Sequence, residues 1–166
     1  MTSRPPALAA ALTGAARVAL GALWINEGLI KYRAGFGAAD IQLVVDSASV
    51  NGRVPAFFQG FASDVLGGAP AFFGVMMPLL EVGLGAALVL GVLTLPAALM
   101  SVLTLMTYWL ADQLTGAYPV MVALAVVVAV WSVSASRWSV TSLAEAAVRG
   151  RAPSSPWLAG PVRRWL

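Results

Sequence analysis

The chain has 166 residues, of which 60% are hydrophobic and only 10% charged, and its formal net charge is +3. Soluble domains carry about a quarter charged residues, so a chain this apolar is expected to lie in a lipid bilayer. It contains no cysteine and no histidine. This excludes disulfides, Cys/His zinc sites, iron–sulfur clusters, histidine-ligated haem and histidine-based catalysis, and we expect no metal ion and no covalently held cofactor. The basic residues lie mostly near the two ends, which suits anionic lipid headgroups and gives no case for nucleic-acid binding.

Four apolar segments predict an all-α fold, an integral membrane four-helix bundle running up-down-up-down. The segments cover 7–30, 71–93, 97–114 and 118–136. Each is close to the ~20 residues that cross ~30 Å of hydrocarbon at 1.5 Å per residue. The links between the last three segments are short enough to force antiparallel neighbours. The first segment is interpreted as a retained helix and not as a signal peptide, because it exceeds the usual ~7–15 apolar residues and Arg17 interrupts it.

The long connection 32–70 is predicted to contain two short helices. The stretch 40–46 has apolar residues on one side, and Pro55 can open a second helix that ends before Gly67 and Gly68. Phenylalanines at helical spacing predict that this second helix lies in the membrane interface. A cap packed over the end of the bundle is a compatible alternative. The apolar residues of the second helix are Phe57, Phe58, Phe61 and Val65.

The region 137–166 is predicted to form a short cytoplasmic helix and an interfacial tail. Ser142 and Glu145 match a capping box for a helix that ends at Gly150. Arginines near both ends predict, by the positive-inside rule, that both termini are cytoplasmic and that the connection 32–70 faces outward. The tail combines tryptophan with arginine, an interfacial anchor pattern, at Trp157, Arg163, Arg164 and Trp165.

One stripe of the first segment carries both charge and glycine. At about 100° per residue, Gly21, Trp24, Gly28 and Lys31 fall within about 40° of Arg17, and Gly14 lies close by. Glycine on a single stripe lets another helix approach closely, so the stripe is expected to face the interior of the bundle. Gly14, Gly21 and Gly28 recur at every seventh position. The remaining members of the stripe are Arg17, Trp24 and Lys31.

Ionisable residues in spanning helices are costly, and for that reason they are the first functional candidates. Depth in the membrane predicts an ion pair between Arg17 and Glu81. It also predicts a polar cluster at the outer end of the bundle, beneath the long connection. These charges either hold the helices in register or form a pocket for a small ligand or a proton-coupled group. The predicted members of the outer cluster are Glu27, Lys31, Tyr108 and Asp112.

These residues and their surroundings resemble the DoxX/DoxD family of small four-helix bacterial membrane proteins. The first helix carries "RVALGALWINEGLIK", with the charge and glycine stripe described above. The second helix and its lead-in carry "FFQGFASDVLGGAPAFFGVMMPLLEVGLGAALVLGVLTLPAAL", an aromatic stretch before a helix centred on Glu81. The fourth helix closes with "SRWSV". The similarity spans about 16–140. The basic residue often found after the second helix is absent at 94–96, and the acidic residue that often follows the closing pattern is replaced near Thr141.

The resemblance implies a membrane subunit of a redox complex in the bacterial cytoplasmic membrane, because DoxD-like proteins are subunits of thiosulfate:quinone oxidoreductase. Electrons would come from a partner chain, and a quinone would sit between helices. Its carbonyls would be bound by Arg17, Tyr108 or Lys31, and its ring would stack on Trp24 or Trp109. Glu27, Glu81 or Asp112 would relay protons. Two alternatives stay open: a non-catalytic structural or assembly subunit of a larger membrane complex, and a small oligomeric transporter or channel.

Overall fold

A computed structural model describes residues 7–151, and within that range all regular secondary structure is helical, with no strand. The helices, with the turn between α3 and α4, are α1 (Ala7–Ala34), α2 (Ala38–Val50), α3 (Ala56–Phe61) continued by a π-helical turn (Ala62–Leu66), α4 (Pro70–Leu90), α5 (Thr94–Leu110), α6 (Tyr118–Val130), α7 (Ser132–Ala135) and α8 (Val140–Arg151). The two short helices expected in the long connection are confirmed as α2 and α3.

Helices α1 and α4 are each long and apolar enough to cross a membrane, whereas α5 and α6 are apolar but shorter. The prediction of one continuous fourth helix over 118–136 is wrong. Trp131 leaves helical geometry, with φ −110° and ψ 35°, and separates α6 from α7. Neither glycine nor proline marks this break in the sequence. Four residues after this break, the carbonyl of Ala135 accepts a hydrogen bond from the guanidinium of Arg17 on α1.

The end of α4 at Leu90, three residues earlier than expected, is explained by a glycine cap. Gly91 has a positive φ of 69°, a conformation that glycine adopts without steric cost. Its N–H bonds the carbonyl of Leu88, and the N–H of Val92 bonds the carbonyl of Ala87. These two bonds form the Schellman motif, which satisfies carbonyls that the helix end would leave unpaired.

Gly21 and Gly28, on the stripe of α1 that the sequence predicted to face the interior, lie against α4. A Cβ added at Gly21 would lie 2.8 Å from the carbonyl oxygen of Gly85, and one added at Gly28 would lie 2.6 Å from a methyl of Val82. Gly14, at the other end of the stripe, instead faces the carbonyl of Ala135 at 3.8 Å. The close backbone approach between α1 and α4 sets the register of these two helices, and the rest of the core is built around them.

Helices α2 and α3 form a cap beside one end of the bundle. The cap is seated on α4, because a Cβ at Gly74 would lie 2.5 Å from the backbone of Gly37. Phe58 is buried in a small core of its own, and Phe61 is partly exposed at 40%. Phe57 is 69% exposed. The phenylalanines therefore do not share one face: one anchors the cap and the others lie at its surface.

Helix α8 begins earlier than predicted and uses a different cap. The N–H of Ser142 bonds the hydroxyl oxygen of Ser139, and the N–H of Ser139 bonds the hydroxyl oxygen of Ser142, each at 3.1 Å. This reciprocal pair is a capping box in which Ser139 is the N-cap, in place of the predicted Ser142 and Glu145. The predicted anchors Trp157, Arg163, Arg164 and Trp165 lie outside the described residues.

Candidate functional site

Glu81 forms the centre of a polar cluster that joins three helices. Its side chain is fully buried on α4. Oε1 accepts a hydrogen bond from Lys31 Nζ on α1 at 2.6 Å and another from the Tyr108 hydroxyl on α5 at 2.5 Å. Two donors on one oxygen compensate part of the cost of burying this carboxylate. The Lys31 ammonium also lies 5.4 Å from the centre of the Tyr108 ring, within the range of a cation–π contact.

The second oxygen of Glu81 has no hydrogen-bond partner among the described residues. Buried polar atoms are nearly always paired, so an unpaired oxygen calls for an explanation such as a ligand, a water molecule or a proton. Lys31 carries three donors, and one of them bonds Glu81. The cluster therefore keeps both donating and accepting capacity beyond its internal bonds.

Two tyrosines extend the cluster toward a second carboxylate. The Tyr108 and Tyr118 rings stack with their centres 5.5 Å apart. The Tyr118 hydroxyl lies 3.5 Å from an oxygen of Glu27, a distance at the outer limit of a hydrogen bond. The structure thus brings Glu27, Lys31, Glu81 and Tyr108 into one neighbourhood, with Tyr118 as a member that the sequence analysis missed. Its position at the start of the fourth apolar segment offered no signal of this role.

An apolar cavity of about 220 Å³ opens beside Lys31 and Tyr108. The cap covers it on one side, and α4 and α5 form its walls. Its polar edge consists of Lys31, Tyr108 and Gln113, with threonine hydroxyls on α5, and the rest of its lining is apolar. Pockets for small hydrophobic ligands have this composition, with a few convergent polar groups in an apolar wall. Apolar lining residues include Ile41, Phe58, Phe61, Met77, Leu80 and Leu103.

Arg17 does not pair with Glu81, so the predicted ion pair is wrong. Its buried guanidinium donates to backbone carbonyls at the ends of two helices: Leu88 and Val89 in α4, the latter at 3.0 Å, and Ala135 at the end of α7, at 3.0 Å. A fourth bond, of 2.9 Å, reaches the carbonyl of Trp138.

Helix register is the reason. The contacts of Gly21 and Gly28 place Lys31 beside Glu81, whereas Arg17 lies about 21 Å further along α1, at 1.5 Å per residue. Arg17 therefore meets the last turn of α4, where unpaired carbonyls and the helix dipole favour a cation.

Trp24 and Trp109, predicted to stack on a ligand, are both absent from the cavity lining. Trp24 is fully buried and donates from its indole nitrogen to the Ser101 hydroxyl at 2.8 Å. Trp109 is 62% exposed on the outer surface of α5. Besides Tyr108, the aromatic side chains that line the cavity are phenylalanines. Apart from Phe73 on α4, they belong to the cap or to the turn before it: Phe36, Phe58 and Phe61.

Asp112 is separate from the Glu81 cluster, so the predicted outer cluster divides into two. One oxygen of Asp112 accepts bonds from Asn51 at 2.8 Å and from Arg53 at 2.5 Å, both in the loop that joins α2 to α3. The hydrogen bond from Asn51, and then the bond and charge of Arg53, lower the pKa of the Asp112 carboxyl. This contact ties the cap to the end of α5. Nothing local in the sequence links Asn51 or Arg53 to Asp112, so these partners could not be predicted.

Comparison of the chain with models of protein families, with curated proteins and with solved structures finds no match. The similarity to DoxX/DoxD stays a prediction, and function is argued from geometry. Within residues 7–151, no group of three or more acidic side chains is placed to hold a metal ion. What the site offers is an ammonium and a phenol at the edge of an apolar cavity, backed by a buried carboxylate. Such a site can bind a carbonyl-bearing apolar ring and exchange protons with it.

Proposed function

We propose that this protein is a multi-pass membrane subunit of a bacterial redox complex that binds a quinone in the cavity between α4, α5 and the cap. The proposal rests chiefly on one observation. Lys31 and Tyr108 line an apolar cavity and are both bonded to the buried Glu81. A quinone presents hydrogen-bond acceptors at the edge of an apolar ring, which matches this distribution of polar and apolar groups.

The membrane part of the proposal is supported by the outer surface of the helices. Large apolar side chains on α1, α4, α5 and α6 point away from the core, and on a monomeric soluble protein so much exposed apolar surface is rare. Aromatic residues near helix ends match the belts found at membrane–water boundaries. Exposed examples are Leu12, Val75, Leu79, Leu99, Val126 and Val130, with Tyr32, Trp109, Trp131 and Trp138 near helix ends.

The length of the helices is compatible with four passes. Helix α5 covers about 26 Å and α6 about 20 Å at 1.5 Å per residue, and α7 extends the fourth apolar segment beyond the break at Trp131. The length of α5 is near the ~30 Å thickness of the hydrocarbon core. We place the cap and the cavity on the outer side and both termini in the cytoplasm, as the distribution of arginine and lysine predicts.

In the proposed reaction, the chain binds quinone and a partner protein supplies the electrons. The Lys31 ammonium donates a hydrogen bond to one quinone carbonyl and stabilises negative charge that develops on it during reduction. Tyr108, which lines the cavity, exchanges a proton with the ring oxygen, and the buried Glu81 bonded to Tyr108 takes up or returns that proton. With no cysteine or histidine in the sequence, haem and cluster ligation of the usual kinds fall to the partner.

The first test is thermal stabilisation of the purified protein in lipid nanodiscs by a tail-less quinone. The compared proteins are the wild type, Lys31→Met and the matched control Arg33→Met. The control also removes one positive charge near the same end of α1, but from an exposed side chain. We expect the quinone to raise the melting temperature of the wild type and of the control, but not that of Lys31→Met. A wild type that no benzoquinone or naphthoquinone stabilises would overturn the proposal.

A structural or assembly subunit is the second candidate, favoured by a different observation. Glu81 binds partners on two neighbouring helices, so the same contacts would hold the bundle together without any ligand. If this is the whole role, Glu81→Gln lowers the stability of the protein or its yield in the complex and leaves quinone binding by the remaining folded protein unchanged. A stable Glu81→Gln protein that no longer binds quinone would contradict this second candidate.

A further inference from the structure

A second apolar groove continues the cavity along the seam between α4 and α5. It has a volume of about 280 Å³, and its lining is apolar throughout. Leu80 on α4 and Met100 on α5 line both the groove and the cavity, so the two spaces meet at these side chains. From Leu80 the groove runs to Ala87, about 10 Å along α4 at 1.5 Å per residue.

Small residues keep this groove open. Gly83 lies at its middle, and a Cβ added there would meet no atom within 4 Å. The other glycines on this stretch of chain behave differently: a Cβ at Gly85 would lie 2.7 Å from the backbone of α1. Close packing between helices therefore explains Gly85 but not Gly83. The absence of a side chain at Gly83 leaves space on the outer surface, in line with the cavity.

The lining becomes less polar from the cavity to the groove. At the cavity end, Lys31 and Tyr108 provide hydrogen-bonding groups, and beyond Leu80 and Met100 the lining has no charged or amide side chain. A molecule that fills both spaces has a polar-edged ring at one end and a single apolar chain at the other. Neither a small soluble quinone nor a purely apolar molecule matches both halves.

We propose that the α4–α5 groove holds the apolar tail of the ligand whose ring occupies the cavity, so that the ligand class is a long-tailed prenylquinone. This inference rests on the proposed function, because the ring site is the anchor from which the tail extends. The groove lies on the outer surface of the helices, so the tail enters sideways from the lipid. Hydrocarbon in the bilayer is as apolar as the groove, so moving the tail from lipid into the groove adds little hydrophobic driving force. The groove instead fixes the position of the tail and provides van der Waals contacts with it.

The test is photolabelling in nanodiscs with a quinone that carries a diazirine at the end of its tail. In the wild type, we expect the label on the inner halves of α4 and α5, around Ala87 and Ala97, and we expect excess tail-less quinone to suppress it. A Cβ at Gly83 would meet no atom within 4 Å, so the backbone there accepts a side chain. Gly83→Leu is expected to occupy the groove, and it should lose this label while a tail-less quinone still stabilises the protein. Ala123→Leu, at an exposed position on α6, is the matched control and should label as the wild type does.

Each other outcome decides the question. Labels spread over all lipid-facing helices, or labels at Ala87 and Ala97 that Gly83→Leu does not reduce, would mean that only ordinary lipid fills the groove. The tail site would then be overturned, while stabilisation by tail-less quinone would keep the proposed function intact. If tail-less quinone fails to stabilise the wild type and fails to suppress the label, the proposed function and the tail site are both overturned.

Discussion

The Lys31 ammonium lies 2.6 Å from a carboxylate oxygen of Glu81, a side chain with no exposed surface, while Lys31 itself is 18% exposed at the edge of the cavity. One partner of this ion pair is thus sealed in the core, and the other lines the cavity. A change at Glu81 acts first on stability, and a change at Lys31 acts first on whatever binds in the cavity. This asymmetry gives the two residues separable phenotypes.

The first prediction concerns the energy of this pair. Glu81→Ala leaves the Lys31 ammonium without its buried partner, and breaking such a pair typically costs about 3–5 kcal/mol. Equilibrium unfolding in mixed detergent micelles measures the change. Because the two residues are in contact, the double variant Lys31→Met/Glu81→Ala should lose less than the sum of the single variants. Strict additivity of the two losses would show that the pair contributes no coupling energy.

The second prediction assigns Arg17 to structure. Its fork of donors bonds carbonyls at the ends of α4 and α7, and a lysine ammonium cannot reproduce that geometry. Arg17→Lys should therefore lower the free energy of unfolding by about 3–6 kcal/mol, roughly the loss of two charge-assisted hydrogen bonds. Quinone affinity of the folded fraction should not change. A variant of normal stability with weakened quinone binding would instead place Arg17 in the ligand site.

The third prediction compares two glycines on one stripe of α1. At Gly21 a new Cβ would press on the backbone of α4, whereas at Gly14 the nearest atom is 3.8 Å away. Gly21→Ala should destabilise the protein by about 1–3 kcal/mol, the usual cost of overpacking. Gly14→Ala should be neutral or stabilising by up to about 1 kcal/mol, because alanine favours the helix. Thermal unfolding of the two variants side by side provides the measurement, and equal losses would contradict the α1–α4 packing.

The fourth prediction concerns acid stability of the cap. The folded-state pKa of Asp112 lies below its ordinary 3.8, because Asn51 and Arg53 bond its carboxylate. A lowered pKa stabilises the folded state at pH values above the pKa that the group has in the unfolded chain. This contribution is lost as the pH falls through the folded-state pKa. The melting temperatures of wild type and Asp112→Asn should therefore differ near neutral pH and converge below about pH 4. A difference that persists at lower pH would show that ionisation of Asp112 is not its source. Arg53→Gln, which keeps the aspartate but removes its cation, should shift the convergence upward.

Much of the helical fold follows from sequence alone. Apolar runs of spanning length and the helical spacing of Gly21 and Gly28 depend only on local periodicity, so the main helices and the inward stripe of α1 could be predicted. The end of α4 at Gly91 was also predictable, since helices commonly end at a glycine in the left-handed conformation. The N-cap at Ser139 was harder to predict, because Ser142, with Glu145 three residues later, is the better match to the capping-box pattern.

The candidate site depended on tertiary structure for a physical reason. The axial offset between α1 and α4 decides which acidic side chain contacts Lys31. If one helix were shifted by two turns, Glu81 would contact a different residue of α1. Backbone contact at Gly21 and Gly85 sets that offset. The break at Trp131 and the contacts of Asp112 likewise involve residues far apart in the chain. Sequence periodicity thus determined which residues face inward, and only helix packing decided which of them touch and where a cavity is left.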